Sequence, residues 1–264
     1  MKISALNIYP LKSARGIALR EMPLDARGPV GDRRWMLIDE RDVMLSQRDL
    51  PRLALIAVER GSDGLQCTAP GMPPLHEPVP APGRSGRLMA RVWDDTVEVQ
   101  LGDDAAHAWF TQFLGAACRL VYQPDDSFRQ VNRIYAAKGV GVSLADGFPV
   151  LLIGQGSLDD LNRRLEHPVE MRRFRPNLVV EGAEPFAEDT WRRIRAGEVE
   201  FHLLKPCARC SIPTVDPETG EVGKEPMRTL ATFRRRNNDV FFGWNIVAPA
   251  PGTLRVGDPV TVLA

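Results

Sequence analysis

Helical periodicity is scarce in this chain. Two segments place apolar residues at the spacing of a helix face, and most other apolar runs are short and bounded by turn-forming residues. The first helical segment opens at Asp103, carries Ala106, Trp109, Phe110 and Phe113 on one face, and meets Gly115 just past its end. The second opens at Ser157, where Ser157 and Asp160 resemble a capping box. Leu158, Leu161 and Leu165 form its apolar stripe, and Pro168 lies beyond. Strand-like patterning occurs over 3–8, 34–38, 53–58, 96–101, 149–153, 178–180, 199–204, 240–247 and 259–263. Pro10 blocks a central ladder position after the first of these. The stretch 69–86, rich in Pro and Gly, reads as a long exposed loop. The expected class is therefore β-rich α+β, with barrels or sandwiches ahead of an alternating parallel sheet. The helix over 103–115 marks a seam, giving expected segments of 1–116 and 117–264.

Charge narrows the function classes. Lys+Arg and Asp+Glu balance at 34 each, whereas duplex binders carry a basic excess. Nucleic acid is therefore not an expected partner. Lysine occurs only at positions 2, 12, 138, 205 and 224, so the basic residues are mainly arginine. Arginine's planar fork suits anions, although a compositional bias of the source accounts for most of them. No segment approaches the length of a membrane span, and the N-terminus lacks a signal pattern. The expected location is the cytoplasm, with no membrane association. Four cysteines, at 67, 118, 207 and 210, then read as thiols or ligands rather than a disulfide framework.

The densest chemistry is Lys205-Pro-Cys-Ala-Arg-Cys210, running through Ser211-Ile-Pro-Thr-Val-Asp-Pro-Glu-Thr-Gly220 into turn chemistry. A structural zinc site would need four ligands, yet His76, His107, His167 and His202 are scattered and unpaired. A thioredoxin-like dithiol would need a helix N-terminus to lower the first thiol's pKa; Pro213 and the β-formers after Cys210 give no helix there. A single thiolate binding a soft metal, with Arg209 and Lys205 stabilising its charge, is the third reading. Two ordinary buried cysteines are the fourth, and spacing alone leaves all of these open.

Two further clusters carry anion-binding chemistry. Tyr9-Pro-Leu-Lys-Ser-Ala-Arg-Gly16 offers a lysine, a hydroxyl and a flexible backbone after a strand, and Gly31-Asp-Arg-Arg-Trp35 adds arginines at the mouth of another. The first is not a Walker loop, since the required glycine order is missing. Arg172-Arg-Phe-Arg-Pro-Asn177 enters a strand; with one aromatic interleaved, it makes a poor stacking platform for nucleic acid. The runs 192–195 and 234–236 read as solvated faces.

In order along the chain stand Ile-Tyr-Pro-Leu-Lys-Ser, Asp-Arg-Arg-Trp, Leu158-Asp-Asp-Leu-Asn-Arg-Arg-Leu165, Phe-Arg-Pro-Asn, Cys-Ala-Arg-Cys with Thr-Val-Asp-Pro-Glu-Thr-Gly, and Phe-Gly-Trp-Asn. This series resembles the MOSC family, with its nearest likeness in the mitochondrial amidoxime-reducing components and their bacterial relatives, over about residues 3–263. The resemblance implies an N-terminal β-barrel module packed on a MOSC β-barrel domain, a few peripheral helices, and molybdopterin between the two. It implies that Cys210 is the protein's ligand to molybdenum. Lys12, Ser13 and Arg33 match residues that hold the pterin phosphate. Arg175 and Arg209 match further cofactor-contacting arginines, Asn177 shares the Arg-Pro-Asn motif, and Asn245 lies in the segment closing over the pterin.

The activity so implied is reduction of N-hydroxylated compounds, such as hydroxylamines and amidoximes, to amines or amidines. Cys210 and Asp216 are then the candidate catalytic residues, the latter as a proton donor or simply a turn residue. No iron–sulfur ligand run occurs, and neither a cluster in this chain nor pyridoxal phosphate is expected. Electrons are expected from a separate protein of ferredoxin, flavodoxin or cytochrome type. A carrier that binds the cofactor, or transfers it or its sulfur without turnover, is the alternative.

Overall fold

The computed structural model describes residues 1–61, 63–81 and 86–264. Among them the chain is strand-rich with three α-helices, Asp104–Leu114, Gln155–Arg163 and Met227–Phe233. The largest layer is a nine-stranded sheet. Its spatial order is Val260–Val262, Arg193–Ala196, Val199–Ala208, Asp239–Val247, Val150–Gly154, Leu178–Glu181, Lys2–Ile8 and Ile17–Leu19, with Arg235–Arg236 paired on Asp239–Val247. One pair runs parallel, Val150–Gly154 with Leu178–Glu181. The crossover that parallel neighbours require contains the helix Gln155–Arg163.

Both faces of this sheet are covered, and one strand shows how. Successive side chains on a strand point to opposite faces. Val150 and Leu152 enter a core shared with Ile3, Phe201 and Trp244. Leu151 and Ile153 pack with Leu158, Leu161, Phe174 and Phe242 under the helices. The ladder also ties the start of the chain to its end. Lys2–Ile8 pairs antiparallel with Leu178–Glu181, and Glu21–Asp25 with Gly252–Arg255. Hydrogen bonding therefore crosses the seam read at 116/117.

Smaller sheets lie beside it. Trp35–Ile38, Arg119–Tyr122, Asp95–Leu101 and Arg87–Val92 form one; Ala57–Arg60, Gly64–Thr68 and Leu75–Pro78 form another. The helix Asp104–Leu114 buries Trp109, Phe110 and Phe113 among Leu53, Ile56 and Leu65. Gly115 ends it at φ 69°, donating to Thr111 O, a left-handed cap that glycine adopts without a Cβ penalty. Asp103 precedes the helix without a side-chain capping bond.

Several local expectations are corrected. Ser157 is not a cap: the second helix begins at Gln155 after Gly154, and the buried Ser157 hydroxyl donates to Glu188 at 2.7 Å. Residues 53–58 are not one strand, because Pro51 starts a 3₁₀ turn over Pro51–Leu55 before the strand Ala57–Arg60. Met227–Phe233 carried no helical signal, being two turns long. One 3₁₀ turn, Ile212–Thr214, does follow Cys210. Arg234 is no solvated residue: it ion-pairs with Asp189 at 2.8 Å and is 10% exposed. The 69–86 stretch contains the strand Leu75–Pro78, while 82–85 lie outside the described residues.

The strand ending at Ala208 decides the site. It runs to Ala208, past the expected end at 204, although Pro206 lacks an N–H for the ladder. Register shifts between Leu203 and Lys205, and again between Pro206 and Ala208, absorb the proline. Bulges of this kind re-aim side chains. Here they bring Cys207 and the following Cys210 into the lining of a pocket.

Candidate functional site

Lys12, Ser13, Arg33, Arg175, Asn177, Arg209, Cys210 and Asn245 line one pocket, with Cys207, Asp146, Phe148 and Phe174 among the other walls. Residues separated by more than two hundred positions thus meet. Asp216 lies outside this lining. Its carboxylate accepts the Glu218 and Thr219 N–H groups at 2.8 and 3.1 Å and the Arg173 guanidinium at 2.6 Å. Burial opposes its charge, but those donors outweigh it and hold the carboxyl below the usual range. A carboxylate so engaged fixes the loop after Cys210.

Three lining residues sit in left-handed backbone: Ser13 at φ 71°, Arg33 at 44° and Arg175 at 59°. Non-glycine residues adopt this region at a cost, and it clusters where surrounding structure dictates a side chain's aim. Arg175 caps the 3₁₀ turn Met171–Phe174 in this conformation. It and Arg33 clasp Tyr9, their guanidinium carbons 4.2 and 4.3 Å from the ring centroid. Tyr9 is buried, its hydroxyl donates to Pro176 O at 3.0 Å, and burial raises its pKa to about 12.

Beneath them Asp32 and Asn177 form a bracket. Asp32 accepts Arg33 at 2.6 Å, the Tyr9 N–H at 2.8 Å and the Asn177 amide at 3.1 Å. Burial raises the Asp32 pKa against these donors. The Asn177 carbonyl oxygen accepts Arg33 at 3.1 Å and Leu151 N–H at 3.2 Å, and its amide also donates to Asn7 O at 3.1 Å. The Asn177 side chain is thus engaged by protein on both ends, and it positions Arg33.

An ion pair also lines the pocket. Lys12 is buried, and its ammonium donates to Leu144 O at 2.9 Å and Asp146 at 2.6 Å. Burial lowers the Lys12 pKa while Asp146 supports the charge. Asp146 is ringed by protein atoms, which opposes its charge, yet Lys12 outweighs this and holds it well below the usual carboxylate range. Its side chain remains 60% exposed. Arg129 fixes this loop, donating to the Ser143 and Asp146 carbonyls at 3.0 Å each and to Asp95 at 2.8 Å. Ser13 Oγ accepts Gln47 N–H at 3.3 Å, and among the described residues its own proton has no acceptor.

The thiols line the same pocket. Arg209 donates to Cys207 Sγ at 3.2 Å and to Phe174 O at 2.8 Å. Cys207 and Cys210 are free and half-buried. Gly243, at φ 80°, lets the Phe-Gly-Trp-Asn strand lie close: a Cβ there would stand 2.8 Å from Leu152 O. Asn245 consequently sits in register with Leu151 and Lys205. Two guanidinium atoms of pocket-lining residues, Arg175 Nη2 and Arg209 Nε, are buried with no hydrogen-bond partner among the described residues. Buried donors of this kind are normally satisfied, so the pocket is shaped for an acceptor. Sequence reading named Lys12, Arg33 and Cys210 but missed Asp32, Asp146 and Arg129. Asp146 and its neighbour Gly147 look like turn residues in sequence, and nothing local signals a partner far away.

A β-rich chain with an arginine- and lysine-lined pocket that also holds two free thiols is thus the class defined by fold and site. The family model described as MOSC N-terminal beta barrel domain matches residues 1–117, and that described as MOSC domain matches 140–261. Mitochondrial amidoxime-reducing component 1 of Mus musculus is 36% identical over 282 residues, covering 99% of this chain and 82% of that protein. The human component 1 is 34% identical over 279 residues, with coverage of 99% and 82%. Component 2 of Rattus norvegicus is 35% identical, with coverage of 98% and 82%. The chain belongs to the MOSC family.

Proposed function

We propose that this pocket holds a molybdenum cofactor with Cys210 as the protein's ligand to the metal. The protein then reduces N-hydroxylated compounds to amines or amidines, using electrons from a separate redox protein. The names of its relatives, amidoxime-reducing components, support an N-reductive function. The observation that carries the reading is the convergence of Lys12, Ser13, Arg33, Arg175, Arg209 and Cys210 on one pocket whose buried Arg175 Nη2 and Arg209 Nε lack partners among the described residues.

The residues fit the group. Its phosphate needs charge-assisted donors, which Lys12, Ser13, Arg33 and Arg175 supply. Among the described residues no three His, Cys, Asp or Glu side chains gather as a metal site. A metal here must bring most of its donors with it, as a pterin dithiolate does, and take one soft sulfur from the protein. When bound, the cofactor supplies the two-electron chemistry that removes oxygen from nitrogen, R–NHOH + 2e⁻ + 2H⁺ giving R–NH₂ + H₂O. Cys210 anchors it, and Arg209 keeps positive charge beside the thiols. Asp146, ionised beside Lys12 and open to the pocket, accepts a substrate N–H.

Turnover separates this reading from a cofactor carrier. Protein made in a host that supplies the cofactor should reduce benzamidoxime to benzamidine with reduced methyl viologen as donor. Bound cofactor without turnover would establish the carrier instead.

A further inference from the structure

Residues 130–141 form a loop closed on itself. Gln130 and Gly141 bridge its neck, and Val131 N–H donates to Val140 O at 2.9 Å. The Gln130 side chain spans the interior, donating to Ala137 O at 3.0 Å and accepting Gly139 N–H at 2.8 Å. Val131, Val142 and Ala145 form a small core with Ala136, Val140 and Phe148. Loops packed by their own side chains hold a fixed shape and are frequently functional. Most of this one, residues 130–139, falls between the two family models.

What the loop shows to solvent is unusual. Ile134 at its tip is 83% exposed, above every other exposed large hydrophobic among the described residues, and Phe128 at its base is 54% exposed. Arg133 and Lys138 beside them are exposed, and no Asp or Glu occurs over 127–145. Asp125 and Asp126, just upstream, are paired with Arg34 at 2.8 Å and Arg87 at 2.7 Å. An apolar anchor on a self-packed loop, rimmed by cations with no ion-pair partner among the described residues, has the make-up of a recognition hot spot.

The loop also abuts the pocket. The Tyr135 ring meets Phe148 edge-on at 5.7 Å, and Phe148 lines the pocket with Cys207 and Cys210. Lys205 Nζ lies 4.9 Å from the Tyr135 ring centroid, adding a cation between loop and thiols.

We propose that the 128–138 surface docks a small acidic electron-transfer protein, with Ile134 as the apolar anchor and Arg133, Lys138 and Lys205 as the cationic rim. The assignment rests on the reductase reading above, which requires two electrons per turnover. Two reduced one-electron carriers each give up one electron, and these with two protons convert N–OH to N–H and water. Positive charge on the rim steers an acidic carrier, and the dependence on ionic strength follows.

Binding is tested on the whole protein by calorimetry at low and high salt. The probes are a plant-type [2Fe–2S] ferredoxin and a flavodoxin, both acidic, with basic cytochrome c as control. At least one acidic carrier should bind, more weakly in high salt, with affinity reduced tenfold or more in Arg133→Glu/Lys138→Glu and severalfold in Ile134→Ala. Cytochrome c should not bind the wild type. Benzamidoxime reduction driven by methyl viologen should be unchanged in these variants. Failure of both acidic carriers to bind, or equal binding by wild type and double variant, overturns the docking surface. Loss of viologen-driven turnover in the wild type would instead defeat the reductase reading.

Discussion

Lys12 Nζ lies 2.6 Å from Asp146, joining residues 134 positions apart in the lining of the pocket. A lysine in the loop after the first strand is thereby fixed by a loop from the middle of the chain. Removal of the carboxylate in Asp146→Ala leaves a buried ammonium with Leu144 O as its remaining partner, at a cost of about 1–3 kcal/mol. Because the folded Asp146 pKa is depressed, its stabilisation is present above the ordinary carboxylate pKa of about 3.9 and fades as pH falls below that. Urea unfolding of wild type and variant should differ by a constant amount between about pH 5 and 7 and converge in acid.

Arg175 presents an unpartnered Nη2 while Nη1 is held by Ala14 O at 2.6 Å. Arg175→Ala should retain its fold by circular dichroism yet hold pterin about tenfold or more weakly. Lysine at this position, a point charge without the planar fork, should not restore retention fully. Fluorescence of the released pterin, per mole of purified protein, measures both.

Ser157 and Glu188 anchor the second helix from inside. Ser157→Ala removes hydroxyl bonds of 2.7 and 2.9 Å to a buried carboxylate, and should cost about 1–3 kcal/mol. A fall in thermal midpoint without loss of cofactor stoichiometry is the expected result.

The sheet connectivity bears on dissection of the chain. A fragment of 117–264 would lack Lys2–Ile8, whose ladder covers Leu178–Glu181, and Glu21–Asp25, which pairs with Gly252–Arg255. Exposed edges of this kind template aggregation. The fragment should be insoluble or lack dispersed amide resonances, whereas a mixture of 1–116 and 117–264 refolded together should recover them.

Much of this architecture is legible in the sequence, because strand alternation and the positions of Pro and Gly are local signals. The strands over 149–153, 178–180 and 240–247 follow from such patterns, as does the helix carrying Trp109 and Phe113. Other features depend on tertiary context. Pro206 argues against a strand, and bulges against the Asp239–Val247 strand are what admit it. Ser157 has the look of a cap, but Glu188, more than thirty residues later, claims its hydroxyl. At the site, charged groups and thiols mark the clusters around Lys12, Arg33 and Cys210 as candidates, and the family resemblance is what singles out those residues. Asp32 and Asp146 act only through what they touch, and spacing along the chain does not record that.

The central claim is that this pocket takes up a molybdenum cofactor through Cys210. It is tested most directly by metal and pterin analysis of wild type and Cys210→Ala, both made in a host that synthesises the cofactor. Molybdenum and pterin near one per chain in the wild type, with the metal lost or its spectroscopic signature altered in the variant, is the expected result. Absence of both from the wild type, or an unaltered metal centre in Cys210→Ala, would contradict it.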